Sequence, residues 1–222
     1  MDQMASAPTR GRPGRPTKAQ TVARHAELLN VALDHFLDKG YDGATIEAIA
    51  AEVQMTKRTI YARYPDKASL FLAAVFRAIE YSATPLNLIE AAVTDNLEET
   101  LFALGLLRAS QAMTPSGVRL QRIINTESYR FPEIFYWSYE YGALPVIRFL
   151  TDLLAEKIAA GELMLDDPEL AASMFITLVV SAPVRMAQAG SALDRQEVER
   201  RVRAGVELFL NGARPRPGAR PQ

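Results

Sequence analysis

Apolar residues recur with a helical period along most of the chain. In the first such segment, residues 21–39, Val22, Leu29 and Phe36 are spaced by seven positions, and Gly40 follows them. Residues at this spacing share one face of a helix, and a glycine after the last of them is a common helix stop. No stretch shows strand alternation, an internal repeat or a coiled-coil heptad series. The pattern therefore predicts an all-α protein.

Capping residues divide this pattern into about nine predicted helices. Thr45, Thr56 and Asp66 stand where N-caps are needed, because their short side chains can accept bonds from unpaired backbone N–H groups. Asp95, with Glu98 three residues later, predicts a further start in the style of a capping box. The predicted helices cover residues 21–39, 45–53, 56–63, 66–81, 95–113, 118–129, 132–160, 168–188 and 194–212.

The second and third predicted helices, joined by a short turn, form a candidate helix-turn-helix. The stretch reads TIEAIAAEVQMTKRTIYARYPDKASLF. A recognition helix presents its N-terminal residues to base edges in the major groove, where Arg and Lys suit guanine and Thr suits other edges. The candidate base-contacting residues are Thr56, Lys57, Arg58 and Thr59, and the candidate phosphate contacts are Tyr61, Arg63 and Lys67.

A longer stretch, LLNVALDHFLDKGYDGATIEAIAAEVQMTKRTIYARYPDKASLF, resembles the N-terminal domain of TetR-family transcriptional regulators. The resemblance implies that Thr45, Tyr61 and Lys67 meet phosphates and that residues 56–59 lie in the groove. Gln54 stands where the family often has glycine, and a non-glycine residue with positive φ is uncommon, so a slightly altered turn is expected. Arg58 also stands where many members have glycine, and it adds a cation to the groove-facing end.

A basic stretch, RGRPGRPTK, lies just ahead of the first predicted helix. Residues 1–18 carry a net charge of +3, although the whole chain carries −1. RGRP is the core of the AT-hook, and arginines are attracted into narrow A·T minor grooves by their concentrated negative potential. We therefore expect Arg10, Arg12 and Arg15 to enter the minor groove, with Lys18 as a further DNA contact. The alternative is a solubilising tail.

An aromatic cluster marks the second half of the chain. Seven of the 18 aromatic residues lie in YRFPEIFYWSYEY. On a helix, Phe131, Phe135 and Tyr139 would form one ridge, and Trp137 and Tyr141 would form another about 200° away. One core-facing stripe cannot hold both ridges, and Gly142 with Pro145 predicts an irregularity in this helix. The cluster favours an apolar ligand cavity, with core packing as the alternative for each residue. The candidate ligand-binding residues are Phe102, Leu106, Met113, Ile124, Tyr129, Phe135, Trp137, Tyr139, Met174 and Phe175.

A dimer is expected because a single small helix-turn-helix rarely binds with enough affinity or specificity, and two-fold symmetry predicts a palindromic operator. The stretches ESYRFPEIFYWSYEYGALPV and DPELAASMFITLVVSAPVRMAQAG resemble the C-terminal domain of the AefR/AcrR-like branch of the TetR family. That resemblance implies a four-helix interface formed by the last two helices of two subunits; intrachain packing is the alternative. The candidate interface residues are Ala171, Leu178, Val179, Ala182, Val198, Val202, Val206 and Phe209.

Composition argues against several other classes. The chain has no cysteine and two histidines, which excludes disulfides and thiolate zinc sites and argues against a histidine-rich metal centre. No nucleophile elbow, HExxH or P-loop is present, so we expect no catalytic residues, no metal and no cofactor. The N-terminus lacks an apolar leader, and the most apolar run, residues 174–184, is about half a bilayer span. We therefore expect a cytoplasmic protein without a membrane partner.

The expected organisation has four parts: a basic arm (1–18), a three-helix helix-turn-helix domain (19–65), a larger helical bundle for ligand binding and dimerisation (66–212), and a tail expected to be disordered (213–222). The expected function is a homodimeric repressor that leaves its DNA when an apolar or aromatic small molecule binds. The alternative is a constitutive or architectural DNA-binding regulator, or an activator, without an effector.

Overall fold

The computed structural model describes residues 17–190 and 193–214, which are helical and contain no strand, as the sequence predicted. Arg10, Arg12 and Arg15 and most of the predicted tail lie outside these residues. The elements are α1 (Lys18–Gly43), α2 (Ile46–Glu52), α3 (Lys57–Tyr61), α4 (Lys67–Ser82), α5 (Leu86–Ala91), α6 (Leu97–Ala112), α7 (Pro115–Glu127), α8 (Pro132–Trp137), a π-helical segment (Ser138–Ala143), α9 (Leu144–Ala159), α10 (Pro168–Gln188) and α11 (Arg195–Ala213).

The predicted caps of α2, α3 and α4 are confirmed. Thr45, Thr56 and Asp66 each accept a hydrogen bond from the backbone N–H three residues on, at 3.2, 3.1 and 2.7 Å. The predicted start of α6 was wrong, because Asn96 and not Asp95 is its cap. Asn96 accepts bonds from the N–H groups two and three residues on. Asparagine caps a helix about as well as aspartate, so these neighbours could not be ranked from sequence.

Three other helix boundaries differ from the prediction. Helix α5 was missed because only Ile89 on it is buried, so it has no apolar stripe to detect. The single helix expected over 132–160 contains the π-helical segment, at the irregularity that Gly142 and Pro145 predicted. Helix α11 continues through Ala213, which was assigned to the tail but is buried.

The helices enclose two hydrophobic cores. In core one, α1 to α4 pack with the inner residues of α7 and α8; Phe36, Phe71 and Ile134 are examples. In core two, α5, α6, α9, α10 and α11 pack around residues such as Phe175 and Val202. The chain thus leaves core two after α6 and returns to it at α9. Core one extends beyond residue 65, where the sequence placed the domain boundary.

Helix α10 is long and apolar enough, by length and composition, to cross a bilayer, with a mean hydropathy of 1.7 over Pro168–Ala187. One such helix is weak evidence of a span, because the core helix of a globular domain has the same character. Here Phe175 and Val179 of α10 lie inside core two.

Candidate DNA interface and effector cavity

The turn between α2 and α3 keeps a left-handed conformation without glycine. Gln54 adopts a φ of 53°. The turn is closed by the N–H of Met55, which donates to the carbonyl of Ala50 at 2.9 Å. A non-glycine residue in this region costs about 1 kcal/mol. The helix-turn-helix therefore retains the turn for which glycine is commonly used.

Four side chains predicted to read bases are exposed together at the start of α3. Two of them, Thr56 and Thr59, are held locally, with their hydroxyl oxygens 2.8 Å apart. Arg58 is exposed and makes no ion pair within the described part of the chain. The arrangement presents one unpaired guanidinium beside two ordered hydroxyl groups.

Lys57, the fourth of these residues, is paired with Glu47 of α2. Its Nζ lies 2.7 Å from Glu47 Oε1. This hydrogen bond lowers the pKa of the Glu47 carboxyl and raises the pKa of Lys57. Both groups are therefore charged at neutral pH, and the carboxylate offsets part of the positive field at the DNA-reading end.

The predicted phosphate contacts occupy different environments. Tyr61 and Arg63 are exposed. Lys67 donates to the carbonyls of Asp42 and Ala44 at 3.3 and 3.1 Å, and so ties the start of α4 to the end of α1. Its phosphate contact remains a prediction.

Three further residues of the N-terminal helices are candidates for DNA contact. Lys18 is exposed as the first residue of α1, and Thr45 is exposed at the cap of α2. Arg24 of α1, which the sequence analysis did not select, lies with Thr59 and Arg63 around a hollow of about 350 Å³.

A cavity of about 250 Å³ lies where five elements meet. Ile79 and Leu120 line it from core one, whereas Ile176 and Val180 line it from core two. The cavity therefore lies at the seam between the two cores. Its other lining residues are Ser82, Arg108, Gln111, Ala112, Gly117, Gln121, Ile124, Ser138, Tyr139, Gly142, Ala143, Thr177 and Ser181.

Two of the ten predicted ligand residues, Ile124 and Tyr139, line this cavity. Tyr129 and Phe135 lie instead on an open groove of about 510 Å³ between α7 and α8. Met174 is 60% exposed on α10. These five candidates therefore do not form one site: two line the cavity, and three lie at the surface.

The remaining ligand candidates pack elsewhere. Phe175 contacts Phe209 within core two, with ring centroids 5.2 Å apart. Trp137 packs against Phe76 of α4, with ring centroids 5.0 Å apart. Phe102 lies under the guanidinium of Arg203, and Leu106 and Met113 pack at the margin of core two.

Arg108 is the charged residue of the cavity, and the sequence analysis missed it. Its Nη1 donates to Thr84 Oγ1 at 2.7 Å and to Gln111 Oε1 at 3.1 Å. Burial lowers the pKa of the guanidinium. One signal could have revealed it: Arg108 is the only cation in LFALGLLRASQAM, a helix segment without a continuous polar face.

Ion pairs attach α7 and the loop after it to α1. Arg119 pairs with Asp38 at 3.2 Å, and Arg130 pairs with Asp42 at 2.9 Å. Arg130 also lies 4.3 Å above the ring of Tyr41. Arg119 also lines a second cavity, of about 380 Å³, between α1, α4 and α7.

The predicted dimer residues divide between the interior and the surface. Leu178 is 41% exposed, Ala182 is partly buried, and Phe209 is partly buried against Phe175. The others lie inside core two of the chain itself: Ala171, Val179, Val198, Val202 and Val206. The same two helices expose Leu170, Met174 and Leu208.

Two family descriptions match the chain. Residues 28–74 match the bacterial regulatory proteins of the tetR family, and residues 99–212 match the AefR-like transcriptional repressor C-terminal domain. The protein belongs to the TetR family. It is therefore a DNA-binding transcriptional regulator and not an enzyme.

Curated relatives of this TetR-family protein include an HTH-type transcriptional regulator of Mycobacterium tuberculosis. It is 39% identical over 103 residues, which span 46% of this chain and 45% of that protein, so the match covers about half of each. An HTH-type regulator of Mycobacterium bovis matches to the same extent.

Solved structures share the fold across nearly the whole chain. A TetR-family regulator from Mesorhizobium loti is 25% identical, with a TM-score of 0.74, over 90% of this chain and 100% of that one. The flavonoid-responsive regulator FrrA is 28% identical, with a TM-score of 0.66, over 88% of this chain and 100% of that one.

Proposed function

We propose that the protein is a homodimeric cytoplasmic repressor that binds a palindromic operator and leaves it when a small molecule enters the seam cavity. The observation that carries this proposal is the path of α4. Its cap, Asp66, lies five residues after the end of α3, and Ile79 and Ser82 near its other end line the cavity. One helix therefore connects the ligand site to the DNA-reading end.

A ligand acts through this helix only if it prefers one of two shapes. Such preferences amount to about 1–3 kcal/mol in coupled systems. A ligand between Ile79 of core one and Ile176 of core two prefers the shape in which the seam is wider. Because α4 packs with α1 in core one, opening the seam moves the two recognition helices of a dimer relative to each other. The similar protein FrrA is named for a response to flavonoids, which supports an effector-controlled role.

The proposed dimer surface is the exposed apolar face of α10 and α11. Leu170, Met174 and Leu178 are spaced by four positions on α10, and Leu208 is 66% exposed on α11. A contiguous apolar face of this kind marks an interaction site. Two copies of the pair would form a four-helix interface, with Ala182 continuing the α10 stripe.

The proposed DNA contacts are those of α3 and its surroundings. Arg58, Thr56, Thr59 and Lys57 would face base edges. Phosphates would be bound by Lys18, Thr45, Tyr61, Arg63 and Lys67. The arm would reach the minor groove through Arg10, Arg12 and Arg15.

Selection of sites from a random DNA library by the full-length protein tests this function. We expect an enriched palindrome with A·T-rich flanks, and release of that DNA by a compound that also raises the Tm of the protein. An enriched site that no stabilising compound releases would instead indicate a constitutive regulator. Salt-sensitive binding without enrichment would indicate an architectural protein.

A further inference from the structure

Arg108 occupies an unusual position for a partly buried cation. Its Nε is buried and has no hydrogen-bond partner among the described residues. The two bonds it makes, to Thr84 and Gln111, both use Nη1. Within residues 17–190 and 193–214, no bond to Nη2 and no ion pair with a carboxylate is present, although ten other ion pairs are. The partners of Arg108 therefore leave its Nε/Nη2 edge unused.

That edge is suited to a particular ligand chemistry. Nε and Nη2 are two parallel donors, and such a fork binds a carboxylate through two short charge-assisted bonds. Partial burial makes a cation without a counter-charge less favourable, and a ligand anion would offset that cost. Neutral acceptors would leave the charge uncompensated.

We propose that the effector is a small organic carboxylate whose charged group binds Arg108 and whose apolar body fills the seam cavity. This inference rests on the proposed function, because it names the ligand of the same cavity. It replaces the purely apolar effector that the aromatic cluster suggested. Ile79, Leu120 and Ile176 supply apolar walls, and Tyr139 supplies an aromatic one.

The volume of the cavity indicates a small ligand. Its volume of about 250 Å³ equals roughly eight water molecules at ~30 Å³ each. A ligand of roughly nine non-hydrogen atoms, such as benzoate, matches that volume. Gln111, Ser138 and Thr177 add hydrogen-bonding groups to the lining, so a hydroxyl substituent on the ligand can also be bound.

The position of Arg108 connects this ligand to α4. Thr84 lies in the link that follows α4, and its hydroxyl also donates to Gln111 Oε1 at 2.7 Å. A carboxylate would accept hydrogen bonds from Nε and Nη2 of Arg108 while Nη1 donates to Thr84. It would therefore fix α6 relative to the end of α4.

The test measures affinity by calorimetry and stabilisation by thermal shift for the full-length protein. The probes are benzoate, phenylacetate and hexanoate, each compared with its own amide, which has the same number of non-hydrogen atoms and no charge. We expect at least one acid to bind about 10-fold or more tightly than its amide, as charge-assisted bonds require. If no acid exceeds its amide, the proposal is overturned.

Two variants separate a ligand role from a structural one. Arg108→Met should remove the preference for the acid without lowering the Tm of the free protein, because the partly buried charge is lost with it. Arg108→Lys should retain part of the preference, because it keeps the charge but not the fork. The control is Arg148→Met, at an exposed arginine of α9, which should bind the acid as the wild type does. Equal acid affinity in Arg108→Met would overturn the proposal.

Two further probes complete the design. If the flavonoid naringenin or an amide stabilises the protein and releases DNA while no acid binds, the effector-controlled function holds and the carboxylate assignment fails. If chloride or phosphate alone gives the same Arg108-dependent stabilisation as the acids, the site binds an inorganic anion and the organic ligand is ruled out. If nothing stabilises the protein while palindrome binding persists, both the effector and this inference fail.

Discussion

The two hydrophobic cores are built differently. Core one is rich in aromatic rings: Phe71 lies between Phe36 and Phe131, at centroid distances of 4.9 and 5.2 Å. Core two is mostly aliphatic and depends on close helix approach, since a Cβ added at Gly105 of α6 would lie 2.9 Å from Val202 of α11. A side chain at Gly105 would therefore have to displace Val202.

Helices α7 and α8 pack with the helix-turn-helix in core one. Phe131 lies between α7 and α8, yet it contacts Tyr41 and Phe71 inside core one. The ion pairs of Arg119 and Arg130 attach the same region to α1. Core one with α7 and α8 is therefore one body, core two is the other, and the cavity lies between them.

The largest effect is expected from truncating one aromatic residue in each core. Phe71→Ala and Phe175→Ala should each lower the free energy of unfolding by about 3–5 kcal/mol, because both side chains are fully buried. If the cores are separate bodies, hydrogen exchange should rise mainly in α1 and α4 for the first variant and in α6 and α10 for the second. Equal increases throughout both cores would contradict the division.

The next effect concerns the outer face of core two. Leu208→Arg should weaken the proposed dimer by about 30-fold or more, since an unpaired charge would enter an apolar interface. Sedimentation equilibrium should show monomers, and the circular dichroism spectrum should show unchanged helical content. Operator affinity should fall as the dimer population falls. Leu88→Arg, at an exposed leucine of α5, is the matched control. A dimer that survives Leu208→Arg would place the interface elsewhere.

A smaller effect is expected at the contacts that hold α7 to α1. Arg119→Met should reduce the effector-induced loss of DNA affinity by about two- to threefold, because exposed ion pairs contribute little individually. Operator titrations with and without effector provide the measurement. Arg148→Met should leave the ratio of DNA affinities measured without and with effector unchanged. An unchanged ratio in Arg119→Met would mean that α7 follows core one without this contact.

Removing the charge of Glu47 should strengthen DNA binding. Glu47→Gln would free Lys57 and raise affinity by about two- to fivefold at low salt, with a smaller gain at high salt. Glu52→Gln removes an acid that pairs with His35 instead, and it serves as the control. Equal gains in both variants would indicate a general charge effect rather than release of Lys57.

The smallest effect is a pH dependence at the start of α11. Hydrogen bonds, first from Arg200, lower the pKa of Glu197 from 4.5 to about 2. A carboxyl whose folded pKa is depressed stabilises the protein above its unfolded pKa, and this contribution is lost as pH falls from about 4.5 towards 2. Urea unfolding across that range should be less pH-dependent in Glu197→Gln than in the wild type, with Glu207→Gln as the control. If the free energy of unfolding changes equally with pH in the wild type and in both variants, Glu197 is not the source of this pH dependence.

The sequence predicted the first body better than the second because local signals define it. Thr45, Thr56 and Asp66 cap their helices by accepting hydrogen bonds from residues three positions away. Such bonds can be predicted from a few consecutive residues of the sequence. The cavity has no local signature. Arg108 donates a hydrogen bond to Thr84, which lies 24 positions earlier in the chain, and Tyr139 and Ile176 line the same cavity. These arrangements depend on how distant helices pack. An aromatic cluster could therefore indicate a cavity nearby without identifying its lining.

The π-helical segment has a consequence for how this lineage can change. A π turn holds one residue more per hydrogen-bonded ring than an α turn, so residues 138–143 contain a surplus residue within a longer helical run. Losing one codon here would restore a regular helix, leave α8 and α9 in their places, and replace the side chains that face the cavity. A single in-frame deletion could thus give this gene a product with a different cavity lining and the same two cores.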